Sequence, residues 1–280
     1  MLIRQHVVMS EGDRRRIARA VICLWIVLML AACGTRPPAQ GAALIWSEDF
    51  SGNAGAPPNS ANWNLETGGG GWGNGEWQTY TASRENAHLD GAGNLVITAR
   101  GGTSGITSAR LNTFGKFAFT YGTLSARIRV PSGKGLLPAF WLSGTDIGAV
   151  NWPRCGEIDV METPNTGVQY TNGMHGPIAG TDQAWKKNTG GSLPGVDLSH
   201  DFHVYSMTKS PNIVTMSIDG TPVGSYTPAS LEPGQEWVFE KPAYILLTLA
   251  VGGEWTGPPD STTPNPASMV IDWIRAYDAD

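Results

Sequence analysis

Charge is what this 280-residue sequence has least of: Asp, Glu, Lys and Arg make up 15% of it, and the net charge is −5. With 19 basic residues against 24 acidic ones, no basic surface for nucleic acid is available. Cysteine is nearly absent too. Cys23, Cys33 and Cys155 are too few for a disulfide-stapled scaffold. Outside the first 33 residues, no helical stripe of apolar residues runs longer than two turns, and there is no internal repeat. "GGGGWGNG" (68–75) is rich in glycine but opens no helical pattern, so it cannot cradle phosphate, and nothing else suggests a nucleotide or redox cofactor. What the chain does have is Gly (36), Pro (19) and Trp (11), the composition of turn-rich β structure with groove-lining aromatics.

The front end reads as a targeting segment. Arg14, Arg15, Arg16 and Arg19 precede "AVICLWIVLMLAA" (20–32), an apolar run of signal-peptide length and too short to span a bilayer comfortably. Met9 is an alternative start. "LAAC" (30–33) resembles the bacterial lipoprotein lipobox, which implies lipid on Cys33, a membrane anchor, and a protein facing outward from a bacterial cell envelope, or secreted. The competing reading is an ordinary signal peptide with a chance cysteine. Residues 1–33 are then the signal, 34–43 a flexible tether, and 44–280 one folded domain in which Cys155 stands alone.

Within that domain, apolar residues alternate in "NLVITAR" (94–100), "GTLSARIRV" (122–130), "DFHVYSM" (201–207), "IVTMSID" (213–219), "AYILLTLAV" (243–251) and "SMVIDWIRAY" (268–277). "DG" at 219–220 and "DGAGNL" (90–95) are turn signals. Short strands at this spacing predict an all-β, two-sheet jelly-roll sandwich.

"CGEIDVMETPN" (155–165) departs from that pattern by placing three carboxylates in a strand. Glu157 and Asp159 share a face by simple alternation, whereas Glu162 falls on the other. One extra residue, a bulge at Val160 or Met161, would bring all three acids together with Ile158 packed behind. Such a cluster suits a bound cation, or a site where one acid keeps its proton while another stays ionised, as glycoside hydrolysis requires. A solvated acidic edge is the plainer alternative.

"GEIDVMET" resembles the active-site strand of glycoside hydrolase family 16, in its bacterial laminarinase-like branch. "WSEDF" (46–50), "GWGNGEWQTYT" (71–81), "ITSARL" (106–111), "YGTLSARIRVPSGKGLLPAFWL" (121–142), "NWPRCGEIDVMET" (151–163), "MHGP" (174–177), "LAVGGEWTGPPD" (249–260) and "MVIDWIRAY" (269–277) follow in family order. The resemblance implies a retaining endo-hydrolase of β-1,3-glucan or mixed β-1,3/1,4-glucan, monomeric, with no catalytic cofactor. Glu157 would be nucleophile, Glu162 acid/base, Asp159 the partner tuning Glu157, and His175 a supporting residue beside the acids. Trp141, Trp152 and Trp255 would stack on sugar, and Asn74 and Arg110 would bind hydroxyls. Asp49, Gly93 and Asp272 match positions that hold a structural Ca²⁺ in many relatives. The alternatives are hydrolysis or transglycosylation of a galactan, agar or envelope glycan, and a non-catalytic carbohydrate-binding lipoprotein. Two departures stand out. Leu137 replaces a common tryptophan, and "MTKSPN" (207–212) replaces a common Glu-Trp.

Overall fold

The computed structural model describes residues 42–102 and 105–279. The expected signal peptide, Cys33 and most of the tether lie outside the described residues.

Among the described residues, seventeen strands form two sheets. The larger sheet contains β1 (Leu44–Glu48), β3 (Thr79–Tyr80), β4 (Ala87–Leu89), β5 (Leu95–Gly102), β6 (Gly105–Ser108) and β8 (Gly122–Arg129). β13 (His203–Ser210), β14 (Ile213–Ile218), β15 (Thr221–Tyr226) and β17 (Ala267–Tyr277) complete it. Its order is β15-β14-β13-β8-β17-β5-β6-β3, with β4 on β5 and β1 on β17. The smaller sheet runs β12 (Ala184–Gly191), β11 (Tyr170–Pro177), β10 (Glu157–Glu162), β9 (Leu136–Gly144), β16 (Ala243–Val251), β7 (Arg110–Asn112) and β2 (Asn64–Glu66). Pairing is antiparallel except between β3 and β6. The one α-helix among the described residues, α1 (Ile147–Val150), is a single turn.

Alternation decides what each sheet buries. On β8, Leu124, Ala126 and Ile128 enter the core; on β9, Phe140 and Leu142 meet them from the other side. Burying a side chain of that size stabilises by about 1.5–3 kcal/mol. β9 and β16 are almost wholly buried because the opposite face of their sheet is also covered, here by loops rather than by a second sheet. That covered concave face carries the acids. The turn at 219–220 has the geometry its sequence demands: Ile218 faces Thr221, and Asp219 and Gly220 both take positive φ, of 50° and 76°.

β1 and β5 share one edge of β17, meeting it at Ile274–Tyr277 and Ala267–Ile271 respectively. At the gap between them lie Asp49, Gly93 and Asp272. A Cβ on Gly93 would stand 3.8 Å from the Asp49 carbonyl oxygen. The Asp272 carboxylate is paired with Arg127, and that of Asp49 with Arg275 at 3.4 Å. The backbone therefore brings an oxygen-only set together, as calcium prefers, but two arginines share its carboxylates.

Candidate active site

The three acids do share a face. On β10, Asp159 lies opposite Trp141 and Met161 opposite Phe140, so Val160 is the extra residue of a bulge. Ile158, Val160 and Met161 all pack into the core, which leaves Glu157, Asp159 and Glu162 on the concave side. Without the extra residue, Glu162 would point between the sheets.

Register then fixes the neighbours. Glu157 lies between Ser143 of β9 and His175 of β11, Asp159 between Trp141 and Gly173, and Glu162 between Ala139 and Thr171. His175 Nε2 is 3.1 Å from Asp159 Oδ2 and 3.7 Å from Glu157 Oε1. Ligand atoms of Glu157, Asp159 and His175 all lie within 4.8 Å of one another, a spacing that could admit a cation. We read it as a hydrogen-bonded trio, because the His175 nitrogen is already directed at Asp159. Trp152 donates its indole N–H to Glu157 Oε2 at 3.0 Å.

Burial raises both glutamates. For Glu157, desolvation and then the Asp159 charge push the pKa up to about 7, against His175, the Trp152 hydrogen bond and Arg110, which lower it. Glu162 is raised well above the ordinary carboxylate range by burial, then by Asp159, with Lys186 opposing. Burial lowers the His175 imidazole, but the hydrogen bond and charge of Asp159, with the charge of Glu157, outweigh it and leave it raised. Two carboxyls raised by burial, next to a third hydrogen-bonded to a histidine, can take different protonation states, the ionised one serving as nucleophile and the protonated one as acid.

The acids sit in a groove of about 540 Å³ that the covering loops wall in. Every residue expected to bind sugar lines it: Asn74, Arg110, Trp141, Trp152 and Trp255, together with Leu137. Trp152 precedes β10 and Trp255 follows β16, at opposite ends of β9, and both are well exposed. Two expected platforms already carry cations. The Arg110 guanidinium lies 4.7 Å from the Trp141 ring centroid and 4.9 Å from that of Trp72, while its charge pairs with Glu66. Lys186 Nζ lies 5.2 Å from the Trp255 ring centroid. Arg110 is thus held between two indoles rather than extended as a free hydroxyl donor.

Among the groove residues that sequence reasoning does not single out are Trp72, Glu76 and Lys186. Glu76 accepts from Gln78 at 2.6 Å and Tyr80 at 3.2 Å, and burial raises it in spite of these bonds and Arg110. Its signal was the motif "GNGEWQ", which was read for Asn74 alone. Lys186 sits on an edge strand with little alternation and gave no signal.

The model of the family described as "Glycosyl hydrolases family 16" matches residues 74–275, a stretch that includes every strand of the acid-bearing sheet except β2. The beta-glucanase of Rhodothermus marinus is 34% identical over 251 residues, covering 84% of each protein. The crystal structure of the laminarinase catalytic domain from Thermotoga maritima MSB8 superposes with a TM-score of 0.77 at 39% identity, over 85% of this chain and 99% of that one. The endo-beta-1,3-glucanase from Pyrococcus furiosus gives 0.76 at 41%, over 85% and 94%. With this match, and with three carboxylates brought onto one face of a loop-walled groove, the chain belongs to the family 16 glycoside hydrolases.

Proposed function

We propose that the protein cleaves β-1,3-glucan chains internally, with retention of configuration. Glu157 attacks the anomeric carbon while Glu162 gives its proton to the departing glycosidic oxygen. Water then hydrolyses the glycosyl–Glu157 ester, with Glu162 taking the water's proton. Asp159 and His175 tune Glu157 from behind, and Trp152 holds one of its oxygens. The observation that carries this reading is the Val160 bulge, which brings Glu162 onto the face of Glu157, where burial raises its pKa as an acid role needs. Release of internal fragments from laminarin, compared with lichenan, agarose and carrageenan, tests the substrate. The β-anomer should appear first in NMR of the products. Glu157→Gln and Glu162→Gln should each lower turnover by at least about 10³-fold. Activity confined to galactans would overturn the substrate, and a fully active Glu157→Gln would overturn the mechanism.

The lipobox supports a bacterial envelope location through lipid on Cys33. A structural Ca²⁺ would be held by Asp49, Gly93 and Asp272, whose donors are all oxygen; no catalytic step uses it. Calcium should raise Tm relative to EDTA, and identical melts would leave the seam to Arg127 and Arg275 alone.

A further inference from the structure

The segment "MTKSPN", which stands where the family resemblance leads one to expect a Glu-Trp, lies in the larger sheet, away from the acids. Its lysine is nevertheless buried: Lys209 is 2% exposed, and burial lowers it to about 8, with Glu240 opposing. A lysine so placed needs acceptors, and it finds two main-chain carbonyls of the segment entering β16. Lys209 Nζ donates to Phe239 O at 2.9 Å and to Lys241 O at 2.8 Å. Asn212 adds a third tie, donating its backbone N–H to Glu240 Oε1 at 2.9 Å, and Glu240 also accepts from the Trp237 indole at 2.6 Å. This segment thus clamps residues 237–241 from the far sheet.

The clamped segment in turn holds the wall of the groove. Lys241 Nζ donates to Asp146 Oδ2 at 2.6 Å and to Arg154 O at 2.9 Å. Those two acceptors lie on either side of the loop that contains α1 and Trp152. The other Asp146 oxygen is buried with no partner, so this loop end depends on Lys241 for its charge. Thr145 N, bonded to Pro242 O at 3.0 Å, pins the same loop beside it. At the loop's exposed crest, Trp152 donates to Glu157.

We propose that Lys241, seated by Lys209, is a positioning residue that holds the Trp152 loop so that its indole N–H reaches the Glu157 carboxylate. The inference rests on the reading of Glu157 as nucleophile for its catalytic consequence. Its geometric content stands apart from that reading. The charged and titratable groups facing Glu157 are Asp159 and Glu162 on its own strand, His175 on β11, Arg110 on β7, and Cys155 just before β10. Lys241 Nζ makes no hydrogen bond or ion pair with any of them and acts on Cys155 through charge alone, so the proposed route from Lys241 to Glu157 runs through the loop and Trp152.

The test uses the full chain with ¹⁵N-labelled tryptophan. The Trp152 indole signal, assigned by its loss in Trp152→Phe, should move in Lys241→Met, and its pH midpoint should rise because a bond that favours the Glu157 anion is weakened. The acid limb of kcat/KM on laminarin should rise with it, giving about a fivefold loss on the acid side of neutrality, the size of one lost hydrogen bond. Lys241→Arg should restore both. Trp152→Phe should raise the acid limb equally, and the double variant should raise it no further. An unmoved indole signal, or additive shifts in the double variant, would overturn the proposal. Should Lys241→Met fail to fold, Asp146→Ala removes the same tie and carries the same expectations. A wild-type protein inactive on laminarin whose indole signal still moves in Lys241→Met would remove the substrate reading and keep the positioning role. A fully active Glu157→Gln would remove the nucleophile and leave the indole result to decide the inference.

Discussion

Replacing the Glu157 carboxylate by an amide takes a buried charge away from Asp159 while keeping an acceptor for Trp152. Its folded-state pKa, about 7 against an ordinary 4.5, means that the folded chain binds this proton more tightly than the unfolded one. The group's contribution to stability is therefore complete below 4.5 and declines as pH rises toward 7. The full shift corresponds to at most about 3 kcal/mol, and half of that would raise Tm by about 4 °C in a domain of this size. Glu157→Gln should accordingly melt higher than wild type at about pH 8 and close to it at about pH 5, as scanning calorimetry at both would show. The acids themselves were legible because three carboxylates in one apolar strand contradict its period. Lys186 is not legible, since it reaches the groove from an edge strand whose place depends on tertiary packing, whereas Glu76 lies within the motif "GNGEWQ".

Strand β10 works because it changes phase within six residues. Deleting Val160 would restore strict alternation and turn Glu162 toward Phe140 and the core. That change should abolish turnover and, by burying an unpaired carboxylate, cost about 3–5 kcal/mol. Val160→Ala leaves the bulge in place and should cost about 2 kcal/mol while retaining activity. Thermal melts together with laminarin turnover separate the two outcomes. Elements with strong alternation or unbroken apolar character were visible in sequence: β16 spans the run 243–251 residue for residue, and the 219–220 turn follows from its two residues. β12 was not visible. Past Trp185 its side chains are mostly exposed, since it closes one edge of the smaller sheet, and an edge strand in water needs no apolar period.

The division of labour between the sheets was anticipated only as far as a sandwich with one acidic face. That the far sheet would reach across, through Lys209, to the wall of the groove could not be read from a departure in a motif. The expected tether enters the domain at β1, in the larger sheet, while the acids lie on the smaller one. Cys33→Ser should move the protein from the membrane fraction to the soluble fraction, or leave it as unprocessed precursor, without altering turnover by the purified domain. Fractionation and an immunoblot check this, and unchanged partitioning would dismiss the lipid anchor. The pairing of β1 with β17 has a further consequence. Asp278 N donates to Ala43 O at 2.8 Å, so the first and last described segments of the domain touch. The chain path is nearly a ring closed by a hydrogen bond, and its order of synthesis is separable from its architecture. A circular permutant joined across this junction by a few glycines and reopened in the exposed Pro194–Gly195 turn should fold and cleave laminarin at close to the native rate.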